Sequence, residues 1–554
     1  MRALAVLVFI VGVGSLGAEI AAARLLAPYF GDSTIIWANT IGVCLIALAI
    51  GHWLGGRFAD RHPHLQGLQV LVLISAALLS IVPLVSGPFL HLAIKAFDKI
   101  EAGAFVGSLV GMMVLIALPL VLIGAATPWA TKLAVTDLDR TGETVGRLGA
   151  IGTAGSLVGT FAASLLLIPF VGSQRTFIVF ALMMAFVAAY RLPWKAWIVP
   201  LLIGGLLFVP PGITKPAAEG DKVLAEAETL YQYARVVEHP VIDDATGETV
   251  PERRLELNEG QAIHSVWRED TVLTDNYWDA FQVLPFAVTD PAAGGASAGG
   301  GSGAAGSGGA AGNDGAEGDA AGANVDAAGA EGLAPTPPPG RIAMLGNAAG
   351  TVARASLHFF PDVRFDGVEI DGRVTEMGRE WFGMPDDPRL VTHTADARPF
   401  LRAGGHDDGE GRYDLIGVDA YRQPYIPFYL TTREFFGEVR DRLTARGSVI
   451  VNVGHPAGND QLEKALATTM RTQFASVVRY PMTRTNTLVI GSTAPASADQ
   501  LRASIPSLPA ELRPVAERAA ASLEEGFDGG PVYTDDKAPV EWLIDGSIVS
   551  YATQ

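Results

Sequence analysis

Long apolar runs with short polar breaks fill this chain up to Ile213, and from Thr214 onward no run is long enough to cross a bilayer. A helix needs about 20 apolar residues to span hydrocarbon. The first stretch therefore predicts several membrane helices and the second a water-facing domain. Seven segments are expected to be membrane helices: Ala3–Ala23, Thr34–Leu54, Leu68–Leu90, Ala104–Trp129, Val145–Val171, Thr176–Tyr190 and Trp194–Pro210. Charge divides at the same place. Residues 1–213 carry 12 Lys and Arg against 8 Asp and Glu, and the remainder 28 against 50. An acidic soluble half excludes nucleic acid as partner, because that ligand demands clustered basic charge, and it is compatible with a cationic substrate.

Within the apolar half, glycine-rich stretches such as "GTAGSLVGTFAAS" permit close helix packing. Glu19 and Arg24 lie in or near the first segment. Ionisable groups are costly there, which points to function; an ion pair, or an Arg24 that snorkels to the interface, is the structural alternative. "GGRFADR" (Gly55–Arg61) reads as a loop after the second segment and resembles the short loop joining the second and third spans of major facilitator transporters. The single cysteine, Cys44, allows no disulfide within the chain and no cysteine metal site. The N-terminal run is too long for a cleavable signal, and further spans follow it. These features predict a multi-pass protein of the cell membrane, with the lipid bilayer as a partner.

Four regions are expected: a membrane domain (1–213), a small antiparallel β-domain (214–290), a disordered insertion (291–340) and a nucleotide-binding domain (341–554). The β-domain rests on "LYQYARVVEH" and "RRLELNEGQAIHSVW", strand-like runs separated by a turn-rich stretch. Pro291–Gly340 is almost wholly Ala, Gly, Ser, Asp and Pro, a composition that cannot bury a core. From Arg341, short apolar strands alternate with helices: "RIAMLG", "VRFDGVEID", "RLVTHTAD", "YDLIGVDAY" and "GSVIVNVG", closed by "SVVRYPM" and "NTLVIGS". That alternation implies a parallel sheet covered on both faces, with ligands at the carboxyl ends of the strands.

Those ends carry the chemistry. "LGNAAGT" places Gly346 and Gly350 in a turn whose backbone can approach a ligand. The next strand ends in Glu369 and Asp371, about 20 positions on, where a carboxylate can accept ribose hydroxyls. The third ends in Asp396, placed for an adenine edge, and the fourth in Asp419.

The ordered set "LYQYARVVE", "LGNAAGTVAR", "VEID", "DPRLVTHTADARPFL", "YDLIGVDAY" and "IPFYLTTREFF" resembles the spermidine synthase (polyamine aminopropyltransferase) family over roughly Leu224–Gly491. "EIAAARLLAPYFGDSTIIW" and "TDDKAPVEWL" resemble its membrane-fused members. The resemblance implies a small β-domain followed by a methyltransferase-like Rossmann domain. It implies transfer of an aminopropyl group from decarboxylated S-adenosylmethionine to a small-molecule amine, with no metal and no covalently bound cofactor. Carried over by residue, Gln232, Glu369, Asp396 and Ala397 match nucleoside contacts, and Asp419 matches the catalytic aspartate. Two departures fall on the amine side: Ala349 stands where the family's glycine turn has an aspartate, and Trp278 stands where Tyr-His-Glu has its histidine. An S-adenosylmethionine-dependent methyltransferase is the alternative on the same fold; a transporter or sensor with a regulatory nucleotide domain is another. A homo-oligomer is compatible with all three.

Overall fold

The computed structural model describes residues 2–30, 34–97, 103–210, 214–243, 247–258, 262–294, 333–404, 412–421, 425–455, 457–541 and 543. The first half is helical: α1 (Arg2–Phe30), α2 (Thr34–Arg61), α3 (Leu65–Phe97), α4 (Gly103–Leu115), α5 (Ala117–Ala134), α6 (Thr141–Phe161), α7 (Ile168–Ala189) and α8 (Ile198–Leu206). Among the described residues, five helical runs are long and apolar enough to cross a membrane.

The seven expected segments are redrawn in three places. Ala104–Trp129 is divided at Ile116, leaving α4 with 13 residues. Val145–Val171 and Thr176–Tyr190 belong to one helical run, Thr141–Ala189. A straight rod of that length would measure about 74 Å, over twice the hydrocarbon thickness of about 30 Å. It is not straight: Ala162–Leu167 forms a π-helical turn, and Gly172 leaves helical geometry at φ 82° and ψ 163°. The third change is "GGRFADR", which forms the last turns of α2 and not a loop. Gly55 there lies against Ala125 of α5, and Asp60 pairs with Lys132 at 2.9 Å.

The small residues do bring backbones together. A Cβ on Gly155 would strike the Phe9 carbonyl, on Gly159 that of Val13, and on Gly12 that of Gly152. Helices α1 and α6 therefore touch along their main chains, as small-residue stripes allow.

The soluble half begins with an antiparallel sheet of β1 (Lys222–Glu228), β2 (Tyr233–Ile242), β3 (Thr249–Leu257) and β4 (Ile263–Trp267), paired in that order. The second sheet contains β5 (Arg341–Leu345), β6 (Arg364–Glu369), β7 (Leu390–Thr394), β8 (Tyr413–Val418), β9 (Leu443–Gly454), β10 (Ser476–Thr483), β11 (Asn486–Ser492) and β12 (Glu524–Glu525). Its order is β12-β10-β11-β9-β8-β5-β6-β7. Strands β5 to β9 pair in parallel, but β11 runs antiparallel to β9 and β10. The all-parallel expectation fails there because two residues join β10 to β11, and so short a loop permits only a hairpin. Alternation along β5 sends Ile342 and Met344 to one core and Ala343 and Leu345 to the other, so both faces are covered.

Two boundaries also move. Trp278, Phe281, Leu284, Phe286 and Val288 are buried in the core of the second sheet, so the β-domain ends before residue 277 rather than at 290. Most of the expected insertion, 295–332, lies outside the described residues. Its C-terminal edge is docked: Thr336 is buried, donates to Val288 O at 2.6 Å and accepts from Gln500 Nε2 at 3.0 Å. One hydroxyl with partners on two elements fixes that edge despite its plain composition.

The halves meet through polar contacts. Tyr29 Oη of α1 donates to Thr214 O at 2.6 Å, and Arg24 Nη2 donates to Leu230 O at 2.5 Å. The Glu228 carboxylate of β1 accepts from Ser173 N and Ser173 Oγ, both at 2.7 Å. It thereby caps the helical segment that restarts after Gly172, where backbone N–H groups lack intrahelical partners.

Candidate functional site

A cavity of about 450 Å³ opens at the carboxyl ends of β5, β6 and β8. The turn after β5 forms its floor. Gly346 has φ 87°, and a Cβ there would collide with the Asp419 main chain. Ala348 follows at φ 46°, a left-handed conformation unusual for a residue with a side chain. The turn is closed by Glu369, whose Oε2 accepts from Ala348 N at 3.0 Å while Oε1 accepts from Asp371 N at 3.0 Å. Burial pushes the Glu369 carboxyl up to about 7, against the opposing pull of these backbone donors.

Asp419 follows β8 and has the densest set of partners. Asn452 Nδ2 donates to its Oδ1 at 2.7 Å and Tyr277 Oη to its Oδ2 at 2.9 Å. The Trp278 side chain is a third donor. Asn486 Nδ2 donates to Asn452 Oδ1 at 2.8 Å, which fixes the amide that fixes the acid. Burial raises Asp419 to about 6, with all three donors pulling it down. A carboxylate has about four acceptor sites, so Asp419 is oriented and retains capacity for one further proton donor.

The sequence-predicted residues divide into two groups. Gln232, Gly346, Glu369, Asp396, Ala397 and Asp419 all line this cavity. Asp396 also begins the helix Ala397–Ala403 by accepting from Arg398 N, and Tyr429 Oη donates to it at 2.6 Å. Gly350 and Asp371 are not in the lining. Gly350 precedes the helix Thr351–Phe359 at φ 88° and packs against Met384. Asp371 accepts from Arg373 N at 3.1 Å and Thr229 Oγ1 at 2.6 Å, so it caps a helix and anchors the β1–β2 loop.

Ala349, the position of the missing acid, is fully buried beside Ala234, Leu255, Val374 and Met377. "TDDKAPVEWL" has a holding role: Asp535 takes two bonds from Arg398, both 2.8 Å, behind Asp396.

Several lining residues carried no clear signal in the sequence. His264 of β4 lines the cavity, and burial lowers it to about 4, so it is neutral at pH 7. Arg24, which the sequence does single out by its charge in an apolar run, reaches in from α1. Asn452, beneath the lining, carried a usable signal: it is the lone amide in the apolar strand "VIVNVG".

No family model matches the chain. It is 30% identical over 221 residues to a probable polyamine aminopropyl transferase from Bifidobacterium longum, covering 36% of this chain and 48% of that protein. It is 35% identical over 121 residues to a polyamine aminopropyltransferase from Vibrio vulnificus, covering 22% and 40%. Over those stretches the chain is similar to polyamine aminopropyltransferases. A stretch of 135 residues is also 29% identical to an eEF1A lysine and N-terminal methyltransferase from Xenopus laevis, covering 22% of this chain and 19% of that one. Among solved structures, a probable spermidine synthase from Corynebacterium glutamicum shares 18% identity over 57% of this chain and 97% of its own, at a TM-score of 0.33. The matched region spans about half the length or less of these curated relatives. The strand-end carboxylates of the cavity belong to the second sheet, and α1 adds Arg24 to the lining.

Proposed function

We propose that this cavity binds an adenosyl sulfonium donor, decarboxylated S-adenosylmethionine, and passes its aminopropyl group to an amine. The arrangement around Asp419 carries the reading. An amine must lose a proton to become a nucleophile. An oriented carboxylate raised toward neutrality by burial suits both holding the ammonium and taking its proton. Glu369 would accept the ribose hydroxyls, Asp396 and Ala397 would meet the adenine, Gly346 would let the backbone approach, and Gln232 would close the nucleoside side. Proximity would supply much of the rate. We infer further that the apolar helices span the cell membrane and hold this site at its surface.

Methyl transfer from S-adenosylmethionine is the second reading. It is favoured by the similarity to the eEF1A lysine and N-terminal methyltransferase and by the apolar packing at Ala349. Calorimetry of the full chain with S-adenosylmethionine, its decarboxylated form and methylthioadenosine separates the two. Aminopropyl transfer requires the decarboxylated donor to bind at least tenfold more tightly than S-adenosylmethionine. The reverse order would favour methyl transfer, and binding of none of the three would end both readings.

A further inference from the structure

The cavity wall changes character from one side to the other. Glu369, Asp396 and Asp419 line it at the strand ends of the second sheet, Arg24 lines it from α1, and Glu541 completes the charged lining. Arg24 lies in the last two turns of α1, an apolar helix long enough to cross a bilayer. Three large side chains that line the same cavity are also open to solvent: Leu230 is 50% exposed, and Tyr231 and Phe428 45% each. Phe170, at the break before Gly172, is 80% exposed beside a neighbouring cavity. Aromatic and aliphatic groups gathered with an arginine at the end of an apolar helix match the composition of a membrane–water interface.

We infer that the cavity opens at the bilayer surface and takes its acceptor from the bilayer: an amphiphilic amine with an anionic group beside the amine, as in a zwitterionic aminolipid. The inference rests on the transferase reading above and names its acceptor class. The amine enters toward Asp419, the anionic group stays beside Arg24, and the chains remain among the apolar rim residues. The amine lone pair forms a bond to the propyl carbon attached to sulfur. The carbon–sulfonium bond breaks, and its electron pair returns to sulfur, leaving neutral methylthioadenosine. The one proton released is the proton that Asp419 takes from the entering ammonium before attack, and the product leaves as a secondary ammonium. The two family positions that depart from the polyamine pattern, Ala349 and Trp278, are buried and stand outside the cavity lining.

The test uses the full chain in nanodiscs with decarboxylated S-adenosylmethionine labelled in its aminopropyl group. One set contains phosphatidylethanolamine in phosphatidylcholine. The other contains phosphatidylcholine alone with 1,4-diaminobutane in solution at equal amine concentration. Label should enter the lipid fraction only when the ethanolamine headgroup is present, at least tenfold faster than it enters the diamine. Phe428→Ser should lower the ratio of lipid to diamine labelling at least fivefold, with a thermal melting curve reporting the folded fraction of each preparation. Labelled diamine without labelled lipid overturns the inference and leaves the transferase reading intact. A bound donor with neither acceptor labelled also overturns it. Failure of the donor to bind removes the transferase reading, and the acceptor inference with it.

Discussion

The two sides of the cavity are built differently. The sheet side consists of carboxylates at strand ends, each fixed by donors within the same domain: Glu369 by Ala348 and Asp371, Asp396 by Tyr429, Asp419 by Tyr277 and Asn452. The other side is assembled from parts far apart in the chain: Arg24 from α1 and the loop Leu230–Gln232 between β1 and β2. A connected path joins them. Glu369 accepts from Asp371 N, Asp371 accepts from Thr229 Oγ1, and Arg24 donates to the next carbonyl, Leu230 O. The sheet side is thus held by local geometry, while the helix side depends on how two halves of the molecule sit together.

The sharpest way to break this contrast is at Asp419. Asp419→Asn should lower turnover by on the order of 10²–10⁴ while methylthioadenosine affinity stays within about threefold. The amide can accept from only one of Tyr277 and Asn452, so about 1 kcal/mol of stability should be lost as well, and rates must be scaled to folded protein. The same residue predicts a pH dependence. Its raised carboxyl is protonated below about 6 and ionised above it, so turnover should climb through that value in the wild type. An Asn variant retaining both full turnover and that rise would dismiss Asp419 as the base.

Next in size is Glu369→Ala, which removes the buried carboxylate proposed to accept the two ribose hydroxyls. Adenosyl-ligand affinity should fall at least tenfold, corresponding to about 1.5–3 kcal/mol, as read by calorimetry. Unchanged affinity would mean that Glu369 only braces the Ala348 turn.

Glu228→Ala tests the helix side. It strips the cap from Ser173 N and Oγ and should cost about 0.5–2 kcal/mol. The loss should appear as a lower melting temperature of the full chain in detergent. A melting curve matching the wild type would show that the halves are held together by other contacts.

The smallest effect is expected at Ala348. Its left-handed backbone costs about 1–2 kcal/mol for a residue with a Cβ, so Ala348→Gly should stabilise the chain by about 1 kcal/mol or less once glycine's greater entropy loss is included. Loss of stability would indicate that the Ala348 methyl packs more strongly than its backbone is strained.

The same contrast governs what the sequence discloses. Strand ends announce themselves: an apolar run that stops on an acid, as in "VEID" and "GVDAY", is enough by its pattern to place that acid at the ligand edge. Gly350 and Asp371 lie in the same pattern and are not in the lining, because a residue one step past a strand is as readily used to start the next helix. Asp371 caps through its side chain, and no spacing rule separates that duty from ligand binding. The kink at Gly172 is partly legible as the polar interruption "GSQR", but its cap comes from Glu228 in another half of the chain. Arg24 stands out as an anomaly in an apolar run, yet its partner lies 206 residues away, and nothing in local pattern names a contact at that distance.

The Arg24–Leu230 bond also sets an order of assembly. At about 5–20 residues per second, α1 leaves the ribosome on the order of 10–40 s before Leu230 is made. Through that interval the first helix can settle into its pack against α6 and α7, but its arginine has no β1–β2 loop to hold. The strand-end acids arrive later still, and the last piece of the lining, Glu541, comes only near the end of translation. A ribosome-bound chain that stops anywhere short of that point carries an unfinished cavity lining.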